Sequence, residues 1–473
     1  MIRFIFQLRF SLIILTLFCL LNSGKIYSIG FYSSSFNVPT GSMGGMATAL
    51  GGYPLDVAIN PANLTVHQKK SYEIGVFFPY LRIHYQDSMN DQNPEYAYTN
   101  SVRTKTPVSL PHFGLSIPLS KKLYFGSSLY PLGGAGLEMK GIKRLVPNGD
   151  SMNQWAGVNL PLTGSLKQIT ESIFARFFVF KFTNALAWKI GRLSIGAGIE
   201  ANYANQYTRY EYRDLSGKFL IPGKGFEYRS SHAFSPGFIG GITFRFTENF
   251  RAAYSYQARG SLPLNGRVRF NLDRPDWFYL QSGSSYKFKL PERHTIGIAY
   301  LKNAWTFVLD AAYLNFSTTN STVKQILEFP LLETPLGYTN QMNSNLRAKD
   351  SLAAGTGFAY KPENIAYRMG FSYSTVIAGE DGIAPVYAGL LHSKIFMAGL
   401  GIEIKNFEIN IAYNHLFLER VKGNDLSDWD LSHAMFPVAS NEDLNLYNIR
   451  IFNFNHSTSF TSDVLLVGIV VRH

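Results

Sequence analysis

The 473-residue sequence contains one cysteine, Cys19, and it falls within the first 28 residues. Downstream of it no disulfide and no thiolate metal site can form. Charged residues are sparse, at 16%, and there is no run of Lys and Arg to accompany the formal charge of +12. That scatter argues against a nucleic-acid partner. It fits basic side chains spread along membrane rims, where they meet anionic lipid headgroups. After the N-terminal region no stretch approaches the ~20 apolar residues of a spanning helix. The sequence also lacks H-E-x-x-H, G-x-S-x-G and Walker patterns, and its 10 histidines are dispersed without metal-ligand spacing. No enzyme activity and no cofactor is expected.

Aromatic residues, by contrast, make up 15% of the chain, and there are 41 glycines. The N-terminus carries Arg3 and Arg9, an apolar run from Ser11 to Leu21, and small residues at Ser23, Gly24 and Ser28. This reads as a secretory signal peptide over 1–28. A secreted chain with no later helical span is either soluble or crosses a membrane as a β-barrel.

Period-two alternation then recurs along the chain. Leu193, Ile195, Ala197, Ile199 and Ala201 alternate with Ser194, Gly196, Gly198, Glu200 and Asn202. Such a strand has one apolar face and one small or polar face. Short polar turns join alternating pairs near residues 120–122, 189–192, 247–249, 302–303, 361–364 and 405–406. Long polar connections separate the pairs, near 86–107, 131–176, 205–234, 259–290, 316–349, 375–393 and 417–458. Short turns at one end and long loops at the other distinguish a transmembrane barrel from a soluble sandwich. Six hairpins, with Tyr72–Tyr85 before them and Ser459–Arg472 after, predict an all-β, antiparallel transmembrane barrel of about 14 strands over residues 69–473.

Three features stand outside that pattern. Residues 29–68 are rich in small residues, do not alternate and end in Asn60-Pro61-Ala62. They read as a plug inside the barrel or as a periplasmic extension. Pro131, Gly133 and Gly134 at the end of the third strand either open the wall or mark an ordinary strand end, since Pro donates no ladder bond and Gly packs nothing. Glu200, Arg245, Arg251, Asp310 and Glu403 fall on the inward parity. The arginines among them could meet a ligand carboxylate, or the charges could be solvated or pair with one another.

The order of these features resembles the FadL/TodX family of outer-membrane transporters for long-chain fatty acids and other hydrophobic compounds. The likeness rests on Gly41-Ser42-Met43-Gly44 through Ala58-Ile59-Asn60-Pro61-Ala62-Asn63-Leu64, on Leu110-Pro111-His112-Phe113, and on Tyr130-Pro131-Leu132-Gly133. Leu290-Pro291-Glu292 and Lys349-Asp350 extend it. The resemblance implies a hatch at 29–68, a lateral gate at the third-strand kink, and passive uptake of fatty acids or hydrocarbons into the membrane. It also implies outer-membrane lipids and the barrel assembly machinery as partners. The family's basic ligand contact near strand five is replaced here by Asn205. One of Arg209 and Lys349 is therefore the expected carboxylate contact, with Asn205 in the ligand site beside it. Two other readings of such a barrel are a surface adhesin or receptor working through the 417–458 loop, and an outer-membrane lipid hydrolase with a Ser–His pair brought together from distant strands.

Overall fold

The computed structural model describes residues 36–45, 47–89, 94, 97–147, 166–216, 226–270, 281–320, 322–329, 332–334, 337–345, 348–377, 393–423 and 454–473. The expected signal peptide, residues 29–35 of the expected hatch and most of the 417–458 loop lie outside them.

Fourteen antiparallel strands close into one barrel. They are β1 (Ser71–Met89), β2 (Tyr98–Pro107 and Leu110–Pro118), β3 (Leu123–Pro147), β4 (Leu166–Ile190) and β5 (Leu193–Asp214). Next come β6 (Phe226–Ser230 and Ala233–Arg245), β7 (Phe250–Gln257, Gly260–Pro263 and Gly266–Phe270) and β8 (Gln281–Leu290 and Arg293–Lys302). The wall is completed by β9 (Trp305–Leu314 and Thr322–Leu327), β10 (Gln341–Asn345 and Ser351–Tyr360), β11 (Ile365–Ser374), β12 (Lys394–Ile404), β13 (Phe407–Gly423) and β14 (Phe454–Arg472). Closure is made by β14 on β1, from Ser71 opposite Arg472 to Met89 opposite Phe454. With no free edge, every strand has a neighbour on both sides, which a bilayer requires.

The alternation explains the wall. In β11, Ile365, Tyr367, Met369, Phe371 and Tyr373 point outward and are exposed, while Ala366, Arg368, Gly370 and Ser372 point inward. The same outward belt includes Ile199, 70% exposed, and Phe234, 64% exposed. Large apolar side chains left this bare in water would drive association, whereas lipid solvates them. A closed barrel with such a belt is an outer-membrane architecture. The tight turns fall where expected, with positive φ at Gly191, Asn303 and Lys405.

The strands are longer than the sequence pattern predicts. β3, β4 and β5 run well into the connections expected at 131–176 and 205–234, and the 98–107 piece of β2 lies in another. Beyond the bilayer the outward face is polar, so the apolar stripe that marks a strand in lipid is missing there. The ladder continues because backbone pairing does not depend on that stripe.

Candidate functional site

Residues 36–67 pack against the inner face of the wall around its circumference. Their short turns are set by capping. Asn37 accepts from the backbone N–H of Thr40, and Asn60 accepts from that of Ala62 at the start of the 3₁₀ turn Pro61–Val66. Asn60 Nδ2 also donates to the Thr48 carbonyl and to Thr243 Oγ1 on β6, at 3.1 and 3.0 Å. Thr243 Oγ1 in turn donates to Asn63 Oδ1, and Thr65 meets Ser194 on β5. On other walls the Thr48 N–H donates to Asp310, the Leu55 N–H to Glu73, and Arg251 to the Leu50 carbonyl. Tyr53 bonds both Glu408 and Arg368. Asn60, Pro61 and Ala62 thus form the anchoring turn.

Inward-facing glycines make the room. A Cβ at Gly241 would collide with Asn60 Oδ1. One at Gly196 would lie 2.5 Å from the Ala62 nitrogen and one at Gly114 2.8 Å from the Leu55 nitrogen. Gly126 faces Leu64, Gly357 and Gly370 face Met43, and Gly399 faces Ser42. Where the near atoms are backbone, as at Gly114, Gly196, Gly357 and Gly370, a side chain would displace the segment.

The second element of the site is a break in the wall. β2 and β3 are laddered from Pro118–Tyr124 up to Phe113–Leu129, and there the ladder stops. Tyr130, Pro131, Leu132, Gly133 and Gly134 follow immediately and are all buried. The alternation of the wall is lost because this stretch leaves the outer surface. On its other side β3 stays paired to β4, with register shifts between Pro131 and Gly133 and between Met139 and Ile142. Proline and glycine explain this locally, since neither supports a ladder bond and a packed side chain together. The upper end is clamped without a ladder. The Asn100 side chain on β2 both donates to the carbonyl of Lys143 and accepts from its N–H, at 3.0 and 2.7 Å. Beside it, buried Arg144 pairs with Asp87 on β1 and Glu171 on β4, at 2.5 and 3.0 Å.

Facing the break from inside is an apolar cluster that includes Phe77, Leu81, Leu110, Leu132 and Leu137. Phe36, at the start of the inner segment, packs edge-on to Tyr130 with ring centres 5.0 Å apart. The Arg293 guanidinium lies over the Phe36 ring, 4.9 Å from its centre, and reaches the Ala58 carbonyl. Lys181 pairs with Glu200 at 2.9 Å, and Gln257 bridges Glu200 and Tyr130. His112, next to the last ladder pair, is buried against Phe77 with neither ring nitrogen hydrogen-bonded. The surroundings of the break are therefore apolar, with a few placed polar groups, the usual character of a site for a small apolar molecule.

The expected carboxylate contacts are not at this site. Arg209 and Asn205 share the parity of Leu193 and Ile199 on β5, so they face outward. Arg209 is paired with Glu211 and Glu227, and Asn205 donates to Ser230. Lys349 is exposed beside the start of the lower piece of β10. In its motif Asp350 makes the contacts, accepting from the Tyr313 hydroxyl and the Ser317 N–H. Being near in sequence to the expected position does not fix which way a strand residue points. Glu200 and Asp310 do face inward, as expected. Sequence reading missed Lys181, Arg293, Asn100 and Arg144, for which no motif exists. A Ser–His contact does occur, between His84 and Ser101 at 2.9 Å. It is exposed, and the charged groups acting on His84 are Arg103 and Arg420, not a carboxylate.

No family model matches the sequence, and no curated protein matches it either. Solved structures do. A FadL homologue of Pseudomonas aeruginosa superposes with a TM-score of 0.64 at 13% identity, over 93% of this chain and 99% of that one. The fold is that of the FadL and TodX channels. The toluene transporter TodX of P. putida matches with a TM-score of 0.63 at 16% identity, over 93% and 99% of the two chains. The toluene transporter TbuX of Ralstonia pickettii gives 0.59 at 14%, over 93% and 99%. The FadL-type fold thus spans nearly the whole chain.

Proposed function

We propose that this chain is an outer-membrane channel for passive uptake of hydrophobic small molecules, with residues 29–68 as its hatch and the β2–β3 break as its exit. The observation that carries this reading is the end of the ladder at Phe113–Leu129 beside an apolar, enclosed interior. Unpaired backbone at membrane depth is tolerated where it is buried or lines a path. An apolar solute leaving sideways enters lipid directly and avoids an aqueous crossing. The neighbouring structures described as toluene and monoaromatic hydrocarbon channels support a hydrocarbon ligand. For a fatty acid, Lys181 and Arg293 are inward cations beside Tyr130 and Phe36, and they replace Arg209 and Lys349 as the proposed carboxylate contacts.

The test is a triple variant, Pro131→Val, Gly133→Val and Gly134→Val, which gives β3 residues able to pair and pack. Uptake of labelled toluene and of a labelled long-chain fatty acid by cells carrying it should fall about tenfold or more, with the barrel as resistant to heat as before. Unchanged uptake in a variant whose strand is shown to be straightened would mean that solutes leave through the periplasmic end.

A further inference from the structure

Above the aromatic rim, the outward face of β4 to β7 carries rows of arginine that the transport reading does not use. The rim on this side is marked by Tyr203, stacked on His232 and packed on Phe234. Four residues further along β5 the sheet register sets Arg176, Tyr207, Arg229 and Arg267 in one row across four adjacent strands. The next row is Phe174, Arg209, Glu227 and Arg269. Neighbouring strands lie about 4.8 Å apart, so these charges are close. Like charges opposite one another in a sheet are unfavourable. Scattered rim charge would not concentrate them this way.

Glu227 organises the group. Its carboxylate accepts from the Tyr207 hydroxyl at 2.8 Å and pairs with Arg229, Arg209 and Arg269 at 3.1, 3.6 and 3.6 Å. One buried acid thus touches three guanidinium groups, of which Arg209 is shared with Glu211. Among the described residues Arg176 and Arg267 have no carboxylate partner, and the Arg176 Nε is enclosed and unmatched. Two clefts of about 340 and 310 Å³ open between these side chains. Glu227, Arg267 and Arg269 line the first, Arg176 and Tyr207 the second, and Arg229 lines both.

We propose that this face is a binding site for the phosphate groups of an outer-leaflet lipid headgroup. Guanidinium forks match phosphate oxygens two bonds at a time. The site's height is right as well. At roughly 3.3 Å per residue and a tilt near 40°, the stretch from Leu193 to Tyr203 spans about 25 Å, one hydrocarbon thickness. The rows after it therefore lie at headgroup level. Basic residues at that level attract anionic lipid headgroups. The inference rests on the orientation of the barrel in the outer membrane, not on what it transports.

The experiment uses the full-length protein in nanodiscs containing bis-phosphorylated lipid A, with the bound lipid counted by native mass spectrometry. Two controls use the dephosphorylated lipid and 10-fold excess inorganic phosphate. The variant is Arg176→Gln with Arg229→Gln and Arg267→Gln, and a parallel triple Lys variant keeps the charge while removing the forks. Wild type should retain the phosphorylated lipid and lose it on dephosphorylation. The Gln variant should retain at least about tenfold less, with hydrocarbon uptake unchanged, and the Lys variant should fall between. Equal retention by wild type and the Gln variant, equal retention of both lipids, or displacement by free phosphate would each overturn the proposal. If the Gln variant does not assemble, the Lys variant decides, and wild-type retention in it overturns the fork argument.

Discussion

Gly241 offers the most direct way to separate the inner segment from the wall. Its missing side chain is what admits Asn60, because a Cβ there would overlap Asn60 Oδ1. Gly241→Val should push the 60–62 turn off β6 by an ångström or more. That movement breaks three buried contacts: Asn60 to Thr243 at 3.0 Å, Thr243 to Asn63 at 3.1 Å, and Thr65 to Ser194 at 2.7 Å. Neutral hydrogen bonds contribute about 0.5–1.5 kcal/mol each, so docking should weaken by roughly 2–4 kcal/mol. In populations that is a factor of about 30 to 1,000. The barrel itself should not suffer, because valine suits a strand better than glycine. Gly240→Ala, one residue away, points outward toward Phe238 and serves as control. Hydrogen exchange of the peptides covering 47–66, in detergent, should accelerate by that factor in Gly241→Val and not in Gly240→Ala. The temperature at which each barrel loses its heat-modified gel mobility should stay the same. Unchanged protection of 47–66 in Gly241→Val would refute the idea that this glycine contact holds the segment.

Three other outcomes follow from single groups. Arg144→Leu strands the buried carboxylates of Asp87 and Glu171 and should cost about 3–5 kcal/mol, read as a lower unfolding temperature of the barrel. Burial raises the Asp56 carboxyl from 3.8 to about 7, against the bonds from the Tyr53 N–H and Asn37. Asp56 should therefore favour docking most below pH 4 and less as pH rises toward 7, whereas His67, lowered by burial to about 4, opposes docking at low pH; Asp56→Asn should remove the Asp56 part of the pH dependence of the 47–66 exchange rates. Arg293→Gln should weaken fatty-acid uptake by about tenfold and leave toluene uptake nearly untouched; equal loss of both would show that Arg293 serves only to hold Phe36.

The strand number and the closing pair were legible because the belt repeats one rule. Leu400, Ile402 and Ile404 face lipid, and so do Ile409, Ile411 and Tyr413 across the turn. Above the belt the rule inverts. On β5 the inward residues become Tyr210 and Tyr212 while Arg209, Glu211 and Arg213 face out. That stretch still alternates, but a search for outward apolar residues passes over it and reads a loop. The facing of Arg209 was available from parity with Leu193, had the strand been carried that far. The turn at Asn60-Pro61-Ala62 can be read from the sequence, since Asn before Pro is a cap signal. Its seat cannot, because the glycines that form it are spread over many strands and meet only when the barrel closes. The same holds for Lys181, Arg293 and the Asn100–Lys143 clamp.

That clamp bears on how a wall with a break can be stable. An unlimited edge would fray and expose backbone to lipid. Here the unpaired stretch is bounded below by Leu129 opposite Phe113 and above by Lys143 held through Asn100. Its β4 side remains laddered, and two register shifts give β3 the extra length to bend inward without pulling on its neighbour. Arg144 then ties the upper end to β1 and β4 at once, through Asp87 and Glu171. The buried ion pairs are costly to desolvate and add little net stability, but they fix which strands meet there. A hydrophobic pair would permit sliding, whereas three charges at set distances do not. The break is consequently a window of defined height rather than a frayed edge. The inner segment, seated on glycines, reaches Tyr130 at this break through Phe36.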